Sequence, residues 1–364
     1  MADFMLFAGN SHLEFARGIA RCLNVPLHEP DEKGDRGPMI KWFSNGNVLV
    51  DVKCDVRGKQ VFVIQTQAPG RALIGKNTDG TDIFGTALSV SDMIMELYWL
   101  VDTLTCAGAS VRVVMPYMPY IRSDKMDHPR SSIGARIFAD LLTAAGACGL
   151  LILEPHFQQI HGFFDRKKIK VDTLNMKPIF GYEILATTDR TRTVFVAPDI
   201  GEAKHLGPFV SMLGFPIAII NKDRAEDNET AQAQQLVGNV EGRDCVVIDD
   251  ETMSCGTLIE AADFCQANGA RSLRAAIAHP VLTSLDGLRK VQAHPLITEL
   301  QVLDGIPISA EKLSICPKLR VHSVTREVAH AISILAAPPG EGHSLEAYKQ
   351  SLYDPLNDLL ARTK

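Results

Sequence analysis

Nowhere do the 364 residues contain a run of the roughly 18 to 20 apolar side chains that a bilayer-spanning helix requires. Residues 1–10 lack the basic segment followed by an apolar one that marks a secretory leader. Cationic charge is not in excess: 37 Lys and Arg stand against 43 Asp and Glu, a net charge of −6. That balance argues against nucleic acid as a general ligand, because phosphate backbones are gripped by fields of Lys and Arg. The eight cysteines never form a Cys-x-x-Cys pair, and most sit in apolar runs where a thiol packs as a small hydrophobe. Low-complexity tracts and solenoid repeats are also absent. These absences lead us to expect a soluble, cytoplasmic protein with reduced thiols, no membrane association and no nucleic-acid partner.

What is present is a long chain that is 46% hydrophobic, more than one domain usually needs. Short apolar, β-branched runs at 5–8, 60–65, 110–115, 150–153, 193–197, 216–220, 244–248 and 273–278 read as buried strands. Between them, residues 91–107, 132–145, 201–213 and 256–268 have helical spacing. Strands alternating with helices imply an α/β fold with mostly parallel sheets covered on both faces. The pattern runs twice, which predicts two similar domains over 1–165 and 166–335. Residues 336–364 then form a linker and terminal helix. The Gly-, Thr- and Asp-rich stretch 70–86 reads as a surface insertion.

The most informative segment is VVIDDETMSCGTL, residues 246–258. An apolar strand ends in Asp249 and Asp250, and Ser254, Cys255, Gly256 and Thr257 then open a helix. Unpaired amides and the macrodipole make such a helix start a phosphate site, and a glycine there lets the backbone approach closely. The two carboxylates can accept hydrogen bonds from a sugar diol nearby. Read blandly, the acids cap a strand and the Ser-Cys-Gly-Thr run caps a helix. A Walker loop is excluded, since no Lys follows the glycine.

The segment resembles the phosphoribosyl-pyrophosphate loop shared by phosphoribosyltransferases and ribose-phosphate pyrophosphokinases. Six further segments, in order, are similar to the pyrophosphokinase family: LFAGN (6–10), KWFSNGN (41–47), PYMPYIRSDKMD (116–127), LEPHFQQIHGFFD (153–165), VFVAPDIGEAKHL (194–206) and AIINKDR (218–224). The resemblance covers about residues 4–335 and implies two type I phosphoribosyltransferase-like domains. It further implies magnesium-dependent transfer of the β,γ-diphosphoryl group of ATP to the anomeric hydroxyl of ribose 5-phosphate or a related phosphosugar, with release of AMP. By the same resemblance, Asp249, Asp250, Ser254, Cys255, Gly256 and Thr257 would hold the sugar phosphate. Phe43, Asn45, Asn47, Arg122, Asp124 and Lys125 would bind ATP, and His156 and Asp199 would hold its Mg2+. Lys222 and Arg224 would be the catalytic cations, at the start of a mobile flap running through the polar 225–235. The Phe43 segment serves a neighbouring subunit in that family, which implies a dimer-based homo-oligomer such as a hexamer.

The sequence also departs from the family pattern. Met253 replaces an acid, Ser254 replaces Thr, Glu154-Pro155 stands for Asp-Leu, and Asn47 takes the place of a Glu that helps recognise adenine. These changes raise the expectation of an altered phosphosugar. Two alternatives remain open at this point: a non-catalytic regulatory subunit of pyrophosphokinase type, and a phosphoribosyltransferase that consumes the diphosphate product.

Overall fold

The structure is a computed structural model that describes residues 4–31, 33–34, 37–126, 128–222, 234–338 and 344–363. The chain divides into two compact units, one of Met1–Asn175, Gly305–Pro307 and Ser323–Lys349, the other of Met176–Asp304, Ile308–His322 and Gln350–Lys364.

In the first unit the strands and helices are β1 (Phe4–Ala8), α1 (Leu13–Leu23), β2 (Leu27–His28), β3 (Met39–Trp42), β4 (Val48–Asp51), β5 (Gln60–Ile64), β6 (Gly70–Lys76), β7 (Asp82–Leu88), α2 (Val90–Cys106), β8 (Ser110–Met115), α3 (Gly134–Ala144), β9 (Gly149–Leu153) and β10 (Lys170–Leu174). Six strands form one parallel sheet in the order β10-β9-β8-β5-β1-β2. Its central strands are apolar on both faces because both are covered, and Phe7, Phe62, Val113 and Ile152 are all buried. Each such aromatic or aliphatic side chain contributes roughly 1.5–3 kcal/mol of burial. A capping box starts α2, with Ser89 accepting from the Asp92 amide and Asp92 from that of Ser89.

The stretch read as a surface insertion is an ordered antiparallel hairpin, β6 paired with β7. Its Ala72 and Leu88 bury against Met93 of α2, and an ion cluster ties its outer end down. The guanidinium of Arg17 on α1 donates to Glu29 at 2.9 and 2.6 Å and to Asp82 at 2.7 and 2.9 Å. Lys76 Nζ lies 3.5 Å from Glu29 and 3.4 Å from Asp82. Burial pushes the Glu29 and Asp82 carboxyls up, but hydrogen bonds and charge from Arg17 and Lys76 outweigh it and leave both below the ordinary range. Carboxyls depressed in the folded state stabilise it above the ordinary carboxylate pKa, and that contribution is lost as pH falls through the folded values. Arg17→Met is therefore expected to cost about 1–3 kcal/mol at neutral pH, between the surface and buried limits for an ion pair. Urea denaturation checks this, and the gap between variant and parent should close as pH falls through the lowered values of Glu29 and Asp82.

The second unit contains α4 (Lys177–Thr187), β11 (Thr193–Ala197), α5 (Ile200–Leu213), β12 (Ile217–Lys222), β13 (Gln234–Val237), β14 (Asp244–Thr252), α6 (Gly256–Ala267), β15 (Ser272–Pro280), α7 (Leu285–Ala293), β16 (Ile297–Leu303), α8 (Ala310–Ile315) and β17 (Leu319–His322). Its seven-stranded sheet runs β13-β12-β11-β14-β15-β16-β17, parallel throughout except for β13. Val194, Val196, Cys245, Val247, Ala275 and Ile277 form the centre of its core. Both units are thus α/β layers, as the alternation of elements implied.

Three further helices close the chain: α9 (Thr325–Ala336), α10 (Leu345–Ser351) and α11 (Asp354–Thr363). In the first unit α9 lies against α1, and in the second α11 lies against α4. The tail therefore holds two helices where the sequence suggested one. Of the linker between α9 and α10, residues 339–343 lie outside the described residues.

Candidate functional site

In open parallel sheets, ligands sit beyond the carboxyl ends of the strands. The second unit brings four groups of candidates to that end of the neighbouring strands β12, β11 and β14. Lys222 is the last residue of β12. Asp199 follows β11 and caps α5, its Oδ1 accepting from the Glu202 amide at 2.8 Å. Asp249 and Asp250 lie in β14 and Ser254–Thr257 in the turn that follows it. Arg224 falls outside the described residues, as does most of the expected flap, although Gln235 at its far end already belongs to β13.

Strand β14 runs on through the acidic pair to Thr252, so the two acids stand within the strand and not after it. Pairing with β15 carries the register to Glu251 opposite His279 and Thr252 opposite Pro280. Both Asp249 and Asp250 are half-buried, and the Asp250 amide donates to Asp249 Oδ1 at 2.9 Å. Burial first, then the charge of Asp250 and a hydrogen bond to it, push the Asp249 carboxyl up to about 9, and Glu202 of α5 adds to the effect. Hydroxyl donors or a cation would oppose that rise.

The turn into α6 has a start at which an anion could be accepted. Cys255 adopts a left-handed conformation with φ 63°, and no side chain caps the helix. The first amides of α6 thus lack the side-chain acceptor that Asp199 gives α5 or Ser284 gives α7. Ser254 and Thr257 are exposed beside them. The Cys255 thiol is buried in the core among residues that include Leu282 and Leu288, and burial pushes it up to about 11. Cys255 can therefore reach a ligand only through its backbone.

A second layer that the sequence did not reveal holds this turn. The Leu282 amide donates to Thr252 O at 3.2 Å, and the amide and hydroxyl of Thr283 donate to Met253 O at 2.7 and 3.1 Å. Beneath it sits Gly287, in the first turn of α7, where an added Cβ would lie 2.1 Å from Ser254 O. Gly256, by contrast, would place its Cβ no closer than 3.4 Å to the Ser254 hydroxyl. Within the protein, close approach is thus required at Gly287; any requirement at Gly256 comes from the ligand. A Ser at the N-cap of α7 followed three residues later by Gly was the available sequence signal.

In the first unit, Arg122, Asp124 and Lys125 lie in the loop beyond β8, and His156 lies beyond β9, again at the carboxyl ends of adjacent strands. Arg122, Lys125 and His156 are exposed and Asp124 is half-buried. Phe43, Asn45 and Asn47 form the tip of the β3–β4 hairpin. The Phe43 amide donates to Asn47 O at 2.8 Å, Gly46 to Phe43 O at 2.9 Å, and the Asn47 amide to Asn45 Oδ1 at 3.1 Å. The Phe43 ring is 44% exposed, with Lys41 Nζ 5.5 Å from its centroid. It is available for stacking on a planar ligand.

Among the described residues no three His, Cys, Asp or Glu side chains converge to cage a metal ion. Magnesium needs no such cage, because it keeps several waters and binds through one or two carboxylates together with substrate phosphates. The exposed carboxylate of Asp199, in the second unit, fits that mode. No helix among the described residues is long and apolar enough to cross a membrane.

Residues 4–146 match the family profile described as the N-terminal domain of ribose phosphate pyrophosphokinase, and residues 230–338 match that of the phosphoribosyl synthetase-associated domain. A ribose-phosphate pyrophosphokinase of Burkholderia pseudomallei (strain K96243) is 33% identical over 333 residues, covering 90% of this chain and 93% of its own. Another, from Clostridium perfringens (strain 13 / Type A), is 34% identical over 284 residues, covering 77% and 79%. The crystal structure of phosphoribosylpyrophosphate synthetase from Mycobacterium smegmatis aligns with a TM-score of 0.76 at 27% identity, across 92% of this chain and 98% of that one. By sequence and by fold, the chain belongs to the ribose-phosphate pyrophosphokinase family.

Proposed function

We propose that this enzyme transfers the β,γ-diphosphoryl group of ATP to the anomeric hydroxyl of ribose 5-phosphate, giving 5-phosphoribosyl 1-diphosphate and AMP. The observation that carries this reading is the paired Asp249 and Asp250 near the end of β14, ahead of an uncapped, left-handed turn into α6. The two carboxyls accept from the ribose hydroxyls, and the amides of Cys255, Gly256 and Thr257, with the hydroxyls of Ser254 and Thr257, enclose the 5-phosphate. The sugar O1 attacks the β-phosphorus, the bridge to the α-phosphate breaks, AMP leaves, and the hydroxyl proton passes to solvent. Such a transfer depends on positioning and charge neutralisation more than on covalent help.

Magnesium bound with the triphosphate would supply positive charge that offsets the transferred group. Asp199 and His156 are the residues that would hold the metal complex, and Lys222 and Arg224 would offset charge on the transferred group. Phe43 stacks on adenine, Asn45 and Asn47 flank it, and Arg122, Asp124 and Lys125 contact the nucleotide. A Phe43 tip that serves a neighbouring copy calls for a homo-oligomer built from dimers. The nucleotide side belongs to the first unit and the sugar side to the second.

The test is to incubate purified protein with ATP, magnesium and a panel of phosphosugars and to identify the products by mass. AMP together with a sugar 1-diphosphate is expected. Pyrophosphate without AMP would point to a phosphoribosyltransferase, and a silent protein that alters the rate of an active relative would point to a regulatory subunit. Met253, Ser254 and Asn47 also predict that another phosphosugar competes. A wide margin in kcat/KM for ribose 5-phosphate over the whole panel would contradict the altered-substrate reading.

A further inference from the structure

Glu96 lies in the middle of α2, fully buried, and the chemistry above makes no use of it. Its carboxylate nevertheless gathers four N–H donors. Oε1 accepts from the Asn10 amide at 2.7 Å and from Gln65 Nε2 at 3.2 Å. Oε2 accepts from Asn10 Nδ2 at 2.8 Å and from Trp42 Nε1 at 3.2 Å. Desolvation pushes this carboxyl up against the pull of those donors, so placing an acid here works against stability unless all the bonds are made.

The donors come from separate parts of the chain. Asn10 follows β1, and its Oδ1 in turn accepts from the Leu73 amide of β6 at 2.8 Å. Trp42 ends β3, and its ring packs against Ala72 and Leu88 of the β6–β7 hairpin and Met93 of α2. One carboxylate therefore anchors both hairpins of the first unit. Side chains alternate along a strand, so Trp42 is held inward while the next residue, Phe43, is presented outward. A two-stranded hairpin is marginal by itself. An exposed ring at its tip is placed only as well as its stem is held.

We propose that Glu96 is a positioning residue for the nucleotide, fixing the exposed ring of Phe43 through the indole N–H of Trp42. The β6–β7 hairpin is the other face of the same clamp. This rests on the reading that Phe43 stacks on adenine.

Trp42→Phe removes the N–H and keeps an aromatic ring, while Glu96→Gln keeps the shape and leaves one acceptor oxygen where there were two. Loss of one such bond should raise KM for ATP about 3- to 10-fold. Changes in kcat and in KM for ribose 5-phosphate should stay within about twofold. Because both substitutions cut the same tether, the double variant should be no worse in KM for ATP than Glu96→Gln alone. If Glu96→Gln fails to fold, Trp42→Phe still decides the matter. The chain has two tryptophans, so Trp42 emission and anisotropy can be read in a Trp99→Phe background without any assay of activity. Glu96→Gln should lower that anisotropy. Multiplying effects in the double variant, equal rises in both KM values, or unchanged Trp42 anisotropy would overturn the proposal. Phe43→Ala with unchanged KM for ATP would instead remove the stacking reading beneath it, even with the tether seen intact by fluorescence.

Discussion

Asp249→Asn is expected to cut kcat/KM for ribose 5-phosphate by about 10- to 100-fold, the scale of a lost hydrogen bond to a charged acceptor, and at the same time to raise the Tm of the ligand-free protein by about 2–4 °C. The two effects share one origin. Burial and the neighbouring Asp250 hold the Asp249 carboxyl far above the ordinary range when no sugar is bound. A carboxyl that binds its proton more tightly in the folded state favours folding at low pH, and that advantage fades as pH rises from the ordinary carboxylate pKa toward about 9. An amide cannot ionise, so the variant should lose this slope in stability between about pH 4 and pH 9. Melting curves of parent and variant across that range, beside steady-state kinetics, measure both halves. Such an exchange of stability for function is common at sites built around charge.

The second large effect separates two glycines that both approach Ser254, Gly256 at the start of α6 and Gly287 in the first turn of α7. Gly287→Ala puts a methyl 2.1 Å from a backbone oxygen of Ser254, which no rotamer can relieve. We expect a loss of about 1–3 kcal/mol or more from this overpacking, with a lower Tm and, if Ser254 holds the sugar phosphate as proposed, weaker sugar-phosphate binding together. Gly256→Ala meets only the Ser254 hydroxyl at 3.4 Å, so its Tm should be unchanged. If a phosphate closes on that amide, the same substitution should still raise KM for ribose 5-phosphate at least about tenfold, because the methyl intrudes only when the ligand is present. Differential scanning calorimetry and kinetics on the two variants distinguish a packing glycine from a binding one.

The strands that could be read in the sequence were those buried on both faces. Residues 5–8, 60–65, 110–115 and 193–197 are dominated by apolar side chains because they lie inside covered parallel sheets. Edge strands escaped notice: β10 and β17 are short and carry exposed, charged positions such as Lys170 and Arg320. The β6–β7 hairpin looked like a loop because its few buried residues, Ala72, Leu73 and Leu88, are spaced by Gly, Thr and Asp. Its order comes from an antiparallel register and from Arg17, which stands 65 residues away from Asp82 in the chain. The turn into α6 was legible as a local motif, down to its order of acid, hydroxyl and glycine. The inward direction of the Cys255 thiol was not, and neither was the support of Ser254 by Gly287, because both depend on what packs beneath the turn. Glu96 was invisible for the same reason: its partners Asn10 and Trp42 lie 86 and 54 residues off, and no spacing rule reaches that far.

The central claim is that the group moved is an intact diphosphoryl unit, attacked at its β-phosphorus while Asp249, Asp250 and the α6 turn hold the sugar. ATP radiolabelled at the β-phosphorus tests it most directly. Incubated with magnesium, ribose 5-phosphate and the protein, the label should appear in a sugar diphosphate while the nucleotide product is unlabelled AMP. Label retained in ADP, or recovered only as free phosphate or pyrophosphate with no labelled sugar, would contradict the account.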